Sequence, residues 1–276
     1  MDYEHKIKFA IKLLQSIPQD DGPIELCYSG GKDSDVILEL AKMSDIPFEA
    51  VYKQTTIDPP GTTLHAKEAG ATIVRPKITF FQLIEKKGWP TRKLRFCCEA
   101  LKEYKIYDRA IQGIRRSESV ARAKRYKEPE VCRIYSNKEK VRVYLPILDW
   151  TNDDVERFVA ERKIKCHPLY YDEIGRFHVE KRLGCIGCPL SEKHAIEDFK
   201  RYPKLFAAWV KAESKYLCSH PNVLMAKYYG NAYNIAFRNL FCDSYEDYSI
   251  KITGGLFPEF AVNTKEFLET YFNVEL

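Results

Sequence analysis

The sequence predicts an α/β fold, a parallel sheet with helices on both faces, followed by a helical C-terminal appendage. Three observations predict it. Between Ile24 and Lys87, short apolar runs alternate with helical patterns. A glycine-rich turn, Ser29-Gly30-Gly31-Lys32-Asp33-Ser34, joins the first apolar run to the helix behind it. Beyond Ser191 the chain turns aromatic-rich and helical, with no strand alternation.

Residues 3–16 read as an amphipathic helix, with Ile7, Ala10, Ile11 and Leu14 on one face and a polar turn from Pro18 to Pro23 behind it. Ile24–Tyr28 is a buried strand, and Val36–Ala41 belongs to the next helix. Ile46-Pro47 breaks that helix before a second strand, Phe48–Tyr52. The turn formers from Gln54 to Gly61 lead into a helix over Thr62–Ala69, a third strand over Ala71–Val74 and a helix over Phe80–Lys87. Strand-helix alternation of this kind builds a parallel sheet whose ligands bind at the carboxyl ends of the strands.

A basic loop, Gly88–Cys98, runs into a short helix over Glu99–Tyr104. A fourth strand is placed near Ala110–Ile114. Residues Glu128–Lys140 are polar without clear period, and Val141–Ile147 alternates as a strand. Thr151 caps a helix carrying Val155, Phe158 and Val159, with Asp154 at the reciprocal position. The expected organisation is an α/β domain over 1–190 and a helical region over 191–276.

The chemistry centres on the glycine-rich turn. Gly30 and Gly31 permit the dihedrals of an anion-binding nest, and the helix N-terminus adds free N–H groups and a positive dipole end. Ser29 and Ser34 add hydroxyls, and Lys32 a point charge. Asp33 would repel a phosphate unless a cation stood between them, so it points to Mg²⁺. The competing reading is an ordinary turn with a capped helix. Thr55, Thr56 and Asp58 would lie at the neighbouring strand end as further nucleotide contacts. Arg115, just past the fourth strand, suits a phosphate, whereas Arg122 and Arg125 read equally as solvated helix residues.

Composition bounds the rest. Of 276 residues, 45% are hydrophobic, enough for a sizeable core, and no apolar run reaches membrane-span length. The charged N-terminus lacks a secretory apolar region, so the chain is expected to be cytoplasmic. Net charge is +5, yet Arg75–Arg142 holds 20 Lys/Arg against 8 Asp/Glu. That basic stretch suits an anionic partner, or is a solvated face.

Nine cysteines in a cytoplasmic chain point to metal ligation or packing before disulfides. Cys185-Ile186-Gly187-Cys188 is a two-residue-spaced pair, and Cys97-Cys98 an adjacent one. Together they supply four thiolates, enough for tetrahedral Zn²⁺ or a [4Fe–4S] cube, and the cube better accommodates neighbouring residues. Cys27, Cys132, Cys166, Cys218 and Cys242 stand alone and read as packing residues.

Several segments together carry a family resemblance. They are Ser29–Ser34, Gly113–Ser119, Pro146–Thr151, Asn152–Val155, Pro168–Tyr170 and Gly184–Pro189. In this order the chain resembles the phosphoadenosine phosphosulfate reductase family, within the adenine nucleotide α-hydrolase-like superfamily of ATP pyrophosphatases. The resemblance implies a five-stranded parallel sheet, adenine nucleotide binding, and a [4Fe–4S] cluster on Cys97, Cys98, Cys185 and Cys188. Two departures separate the chain from the reductases. It keeps Asp33 and Ser34, the Mg²⁺-ATP form of the loop, and has no C-terminal Glu-Cys-Gly motif to attack a sulfonucleotide. Both favour a relative of the sulfurtransferases of DNA phosphorothioation.

The resulting expectation is an enzyme that binds ATP and Mg²⁺, adenylates an acceptor and releases pyrophosphate for sulfur transfer, with Lys32, Asp33 and Arg115 as its catalytic groups. Its partners would be DNA or tRNA as acceptor, or a sulfur-donor protein. The alternatives are a sulfonucleotide reductase using Cys218 or Cys242, and a non-enzymatic nucleotide or nucleic-acid module with a structural metal.

Overall fold

The computed structural model describes residues 2–19, 22–135 and 138–276. Residues 20 and 21 of the expected 18–23 turn lie outside that range, as do 136 and 137 of the polar stretch. The chain opens with α1 (Tyr3–Gln15), capped by Asp2, whose carboxylate accepts from the His5 backbone N–H at 2.9 Å. There follow β1 (Ile24–Tyr28), α2 (Lys32–Met43), β2 (Glu49–Lys53), α3 (Thr62–Glu68), β3 (Thr72–Val74), α4 (Phe80–Lys87) and α5 (Phe96–Leu101). The middle of the chain gives β4 (Arg109–Ile111), α6 (Val120–Arg125), β5 (Glu130–Ile134), β6 (Lys140–Tyr144) and α7 (Asn152–Glu161). Six helices complete it: α8 (Glu192–Arg201), α9 (Pro203–Ser219), α10 (Leu224–Tyr229), α11 (Ala232–Phe241), α12 (Tyr245–Thr253) and α13 (Thr264–Phe272).

The chain divides into two compact units. The first comprises Met1–Pro76 and Leu101–Gly184, the second Lys77–Ala100 and Cys185–Leu276. This partition differs from the expected 1–190 and 191–276. The segment holding α4 and Cys97-Cys98 sits in the second unit because its aromatics pack there. Phe80 and Trp89 pack against Trp209 in tilted ring contacts, with centroids 4.6 and 4.9 Å apart.

In the first unit the sheet order is β3-β2-β1-β4-β6-β5. The five strands from β3 to β6 run parallel, and Leu26 of β1 lies between Ala50 of β2 and Ile111 of β4. The sixth strand corrects the five-stranded expectation: β5 pairs antiparallel with β6 at the sheet edge. Its residues alternate between exposed and half-buried, so its polar composition hid the strand period. One face of the sheet is covered by a core that includes Leu14, Leu26, Val36, Leu40, Trp150 and Phe158. A smaller cluster with Val141, Val143, Leu145 and Leu148 forms another part of the core.

The second unit is helical, and its core is aromatic. Phe199 meets Trp209 at 5.4 Å and Phe206 meets Phe272 at 4.3 Å. Among the described residues, no helix is long and apolar enough to cross a membrane.

Candidate functional site

Strand order reverses between β1 and β4, since β2 and β3 extend one way and β6 the other. A ligand crevice opens at such a switch point, outside the carboxyl ends of the strands. The Ser29–Ser34 loop leaves β1 there, and Gly113 follows β4 beside it. A Cβ on Gly113 would stand 2.8 Å from the Asp33 carbonyl oxygen, so only glycine lets the two segments approach this closely. Gly30 has φ +77°, and a Cβ there would also meet Thr62 Cγ2 at 2.8 Å.

The loop faces a cavity of ≈ 150 Å³ whose lining includes Ser29, Lys32, Asp33, Glu118, Arg122 and Arg182. Lys32 is 6% exposed, and burial pushes its pKa down while the Asp33 charge opposes the shift. Its ammonium lies 3.4 Å from Asp33 Oδ2 and 5.3 Å from the centre of the Tyr170 ring. Arg122 is paired with Glu118, and its pKa is lowered by burial and then by the like charge of Arg182. The Cys27 thiol also lines the cavity, but burial pushes its pKa up to about 12, so it is held protonated.

Arg115 takes a different place from the one expected. It is 1% exposed and is absent from the cavity lining. Its Nε donates to Asp33 Oδ1 at 2.7 Å, and its Nη1 donates to Ser117 Oγ at 3.2 Å and Asn152 Oδ1 at 3.0 Å. Ser117 in turn donates to the Trp150 carbonyl at 2.8 Å. Arg115 therefore orients the Asp33 carboxylate, while the cationic cavity wall comes from Lys32, Arg122 and Arg182. Arg182 lies far from the loop in sequence and carried no local signal; Tyr170 was visible only as part of the Pro168–Tyr170 resemblance segment, and Arg122 only as one of two ambiguous arginines.

Under the first turn of α2 lies a buried polar network that the sequence did not reveal. Asp35 accepts from the Tyr28 hydroxyl and sits 3.0 Å from His65 Nε2. Burial works to lower the His65 pKa, yet the hydrogen bond and charge of Asp35 outweigh it and raise it. The ring of His65 meets that of His167 edge-on at 5.8 Å, and burial lowers the His167 pKa. This network fixes the helix start that presents Lys32, Asp33 and Ser34.

Thr55, Thr56 and Asp58 follow β2 along the same sheet edge, with the Thr55 N–H donating to Asp58 Oδ2 at 2.7 Å. Thr56 adopts φ +67°, a left-handed residue in the turn. None of the three lines the cavity described above.

All four expected ligand cysteines, Cys97, Cys98, Cys185 and Cys188, fall in the second unit. The Cys97 thiol is pushed up, first by its hydrogen bond with Cys98, then by burial, then by the charges of Cys98, Cys185 and Cys188. Cys97 thus feels the charges of the other three, although no group of three or more ligand-type side chains is closed into metal-binding geometry among the described residues. Gly187, between the second pair, has φ +71°, and a Cβ there would overlap Phe199 Cζ at 2.2 Å. The Gly187 N–H donates to Asp198 Oδ2 at 3.0 Å. The turn of the second pair is therefore anchored to α8.

The chain is 31% identical over 202 residues to an uncharacterized protein of Methanocaldococcus jannaschii, covering 68% of this chain and 46% of that protein. It is 32% identical over 184 residues to sulfate adenylyltransferase subunit 2 of Azospirillum brasilense, covering 53% of this chain and 60% of that one. The chain spans about half the length of the curated relatives it matches. Among solved structures, phosphoadenylyl-sulfate reductase from Candida auris superposes with a TM-score of 0.47 at 16% identity, over 66% of this chain and 93% of that one. FMN adenylyltransferase from Candida glabrata, in complex with ATP, gives 0.43 at 17% identity, over 64% and 62%. The phosphoadenosine phosphosulfate reductase domain is matched over residues 23–191, and the chain belongs to that family.

Proposed function

We propose that the protein is an ATP-dependent adenylating enzyme serving sulfur transfer. The observation that carries this reading is the Ser29–Ser34 loop at the sheet's switch point, with Asp33 locked to Arg115 and Lys32, Arg122 and Arg182 around one cavity. In the proposed step an acceptor oxygen attacks the α-phosphorus of ATP. The bond to the α,β-bridging oxygen breaks, pyrophosphate leaves, and the acceptor proton goes to solvent. The loop N–H groups, Ser29 and Ser34 would hold the β,γ-pyrophosphate. Lys32, Arg122 and Arg182 would offset charge gathering on the leaving group. Thr55, Thr56 and Asp58 would meet the adenosine half. The Asp33 carboxylate keeps lone pairs beyond those used by Arg115 and would hold Mg²⁺, which would supply neutralisation of phosphate charge.

The donor chemistry of Cys97, Cys98, Cys185 and Cys188 fits a [4Fe–4S] cluster, with Zn²⁺ as the alternative at the same thiolates. Such a cluster would bind sulfur or brace the fold of the second unit. Anaerobic purification is expected to yield a brown protein with about four iron and four sulfide per chain. A colourless protein containing zinc would overturn the cluster. The reductase alternative is disfavoured at Cys242, because burial raises its pKa, opposite to what an attacking thiolate needs.

The reading is tested by incubating the protein with Mg²⁺-ATP labelled at the α or γ phosphate. Sulfate, prompted by the name of the Azospirillum relative, and DNA and tRNA serve as parallel acceptors. Pyrophosphate is expected with one of them. Release of orthophosphate alone would sink the adenylating mechanism.

A further inference from the structure

A second cavity, ≈ 770 Å³ in volume, lies within the second unit along α4 and α9 and belongs to no site described so far. Its walls are held firmly. Phe80 packs on Trp209 at a tilt, and a Cβ on Gly88 would meet the Tyr216 ring at 2.8 Å, so the two helices are in close contact. Four lysines line it: Lys77, Lys86, Lys211 and Lys215. Its only acidic residue, Glu85, is already paired with Lys215 at 2.7 Å. Among the described residues, Lys77, Lys86 and Lys211 have no carboxylate within ion-pair distance. The groove thus carries three uncompensated positive charges on exposed side chains.

We propose that this groove binds the phosphate backbone of a nucleic-acid strand. Two features favour an extended polyanion over a small anion. The cations are spread over the turn before α4 (Lys77), α4 itself (Lys86) and α9 instead of converging on one point, with Lys211 and Lys215 one helical turn apart. Every cation is lysine, a flexible point charge, and none is arginine, whose planar fork suits one fixed carboxylate or phosphate. Such contacts position a strand without reading its bases. As the acceptor of the enzyme, the strand rests on the adenylating function proposed above; as a bound ligand, it does not.

The test is fluorescence anisotropy with end-labelled 20-nucleotide single-stranded DNA and RNA. Three phosphate contacts predict that affinity falls about 20-fold between 50 and 200 mM salt. The triple variant Lys77→Glu, Lys86→Glu, Lys211→Glu is expected to lose at least that factor at 50 mM and most of the salt dependence. Its Mg²⁺-ATP affinity, measured by calorimetry, should be unchanged. A strand bound equally by wild type and triple variant would overturn the site, as would no binding by wild type at 50 mM. Displacement of the strand by polyglutamate at equal charge would also overturn it, in favour of an acidic protein. Retained binding without strand-dependent pyrophosphate release would leave the groove standing and count against the adenylating function.

Discussion

Asp33→Ala is expected to lower Mg²⁺-dependent pyrophosphate release about 10³-fold, the scale on which a preorganised electrostatic group acts in a dry site. The same substitution should tighten binding of ATP in the absence of Mg²⁺. Asp33 holds the only carboxylate next to both Lys32, at 3.4 Å, and Arg115, at 2.7 Å, among the contacts described for those two cations. Removing it leaves two buried cations facing the loop with no counter-charge, and metal-free ATP can then supply one. Lys32 loses the charge that resists its burial-driven downward shift, so its pKa falls further. Turnover and binding should therefore move in opposite directions, a result that mere unfolding of the loop cannot give. Asp33→Asn separates the two roles of the residue. The amide oxygen can still accept from Arg115 Nε but is a poor Mg²⁺ ligand. If Asn restored turnover, Asp33 would serve only to seat Arg115, and the metal role would fall.

The loop itself was legible because its signal is local. Adjacent glycines, a lysine and an acid between a strand and a helix define a phosphate-binding turn without reference to the rest of the chain. Much of the cavity wall was not, because Arg182 reaches the loop only through the return of the chain after α7. Asp35 and His65 were missed for a similar reason. Each looks like an ordinary helix residue, and only the packing of α2 against α3 makes them a pair. Arg115 was legible as a cation past the fourth strand, but nothing in its spacing shows that its Nε meets Asp33 and its Nη1 meets Ser117 and Asn152. The five parallel strands follow from hydrophobic runs, whereas β5 is an exposed edge strand whose polarity removes the pattern. The partition into units was the least legible feature. The periodicity of α4 shows that one face is apolar, but not that Trp209, more than a hundred residues later, covers it.

Glu213→Gln is expected to stabilise the second unit by about 3 kcal/mol at pH 8 and by almost nothing at pH 4, a second large effect and one independent of any ligand. Glu213 lies on the buried face of α9 with Phe206, Trp209 and Leu217, and it is 0% exposed. Neither carboxyl oxygen has a partner in hydrogen-bond geometry, and the Trp89 backbone N–H offsets only part of the cost. Burial raises its pKa from 4.5 to about 7. The folded chain therefore holds this proton over a range in which the unfolded chain has lost it. Stability contributed by the neutral acid is complete below the unfolded value of 4.5, declines as pH rises, and is gone above about 7. Glutamine mimics the neutral acid at every pH, so the stability difference between wild type and variant should grow over that window and then level off. Urea unfolding followed by tryptophan fluorescence reads the effect, because Trp89 and Trp209 both sit in this unit. A difference that stays flat from pH 4 to pH 8 would mean that Glu213 finds a partner on ionisation.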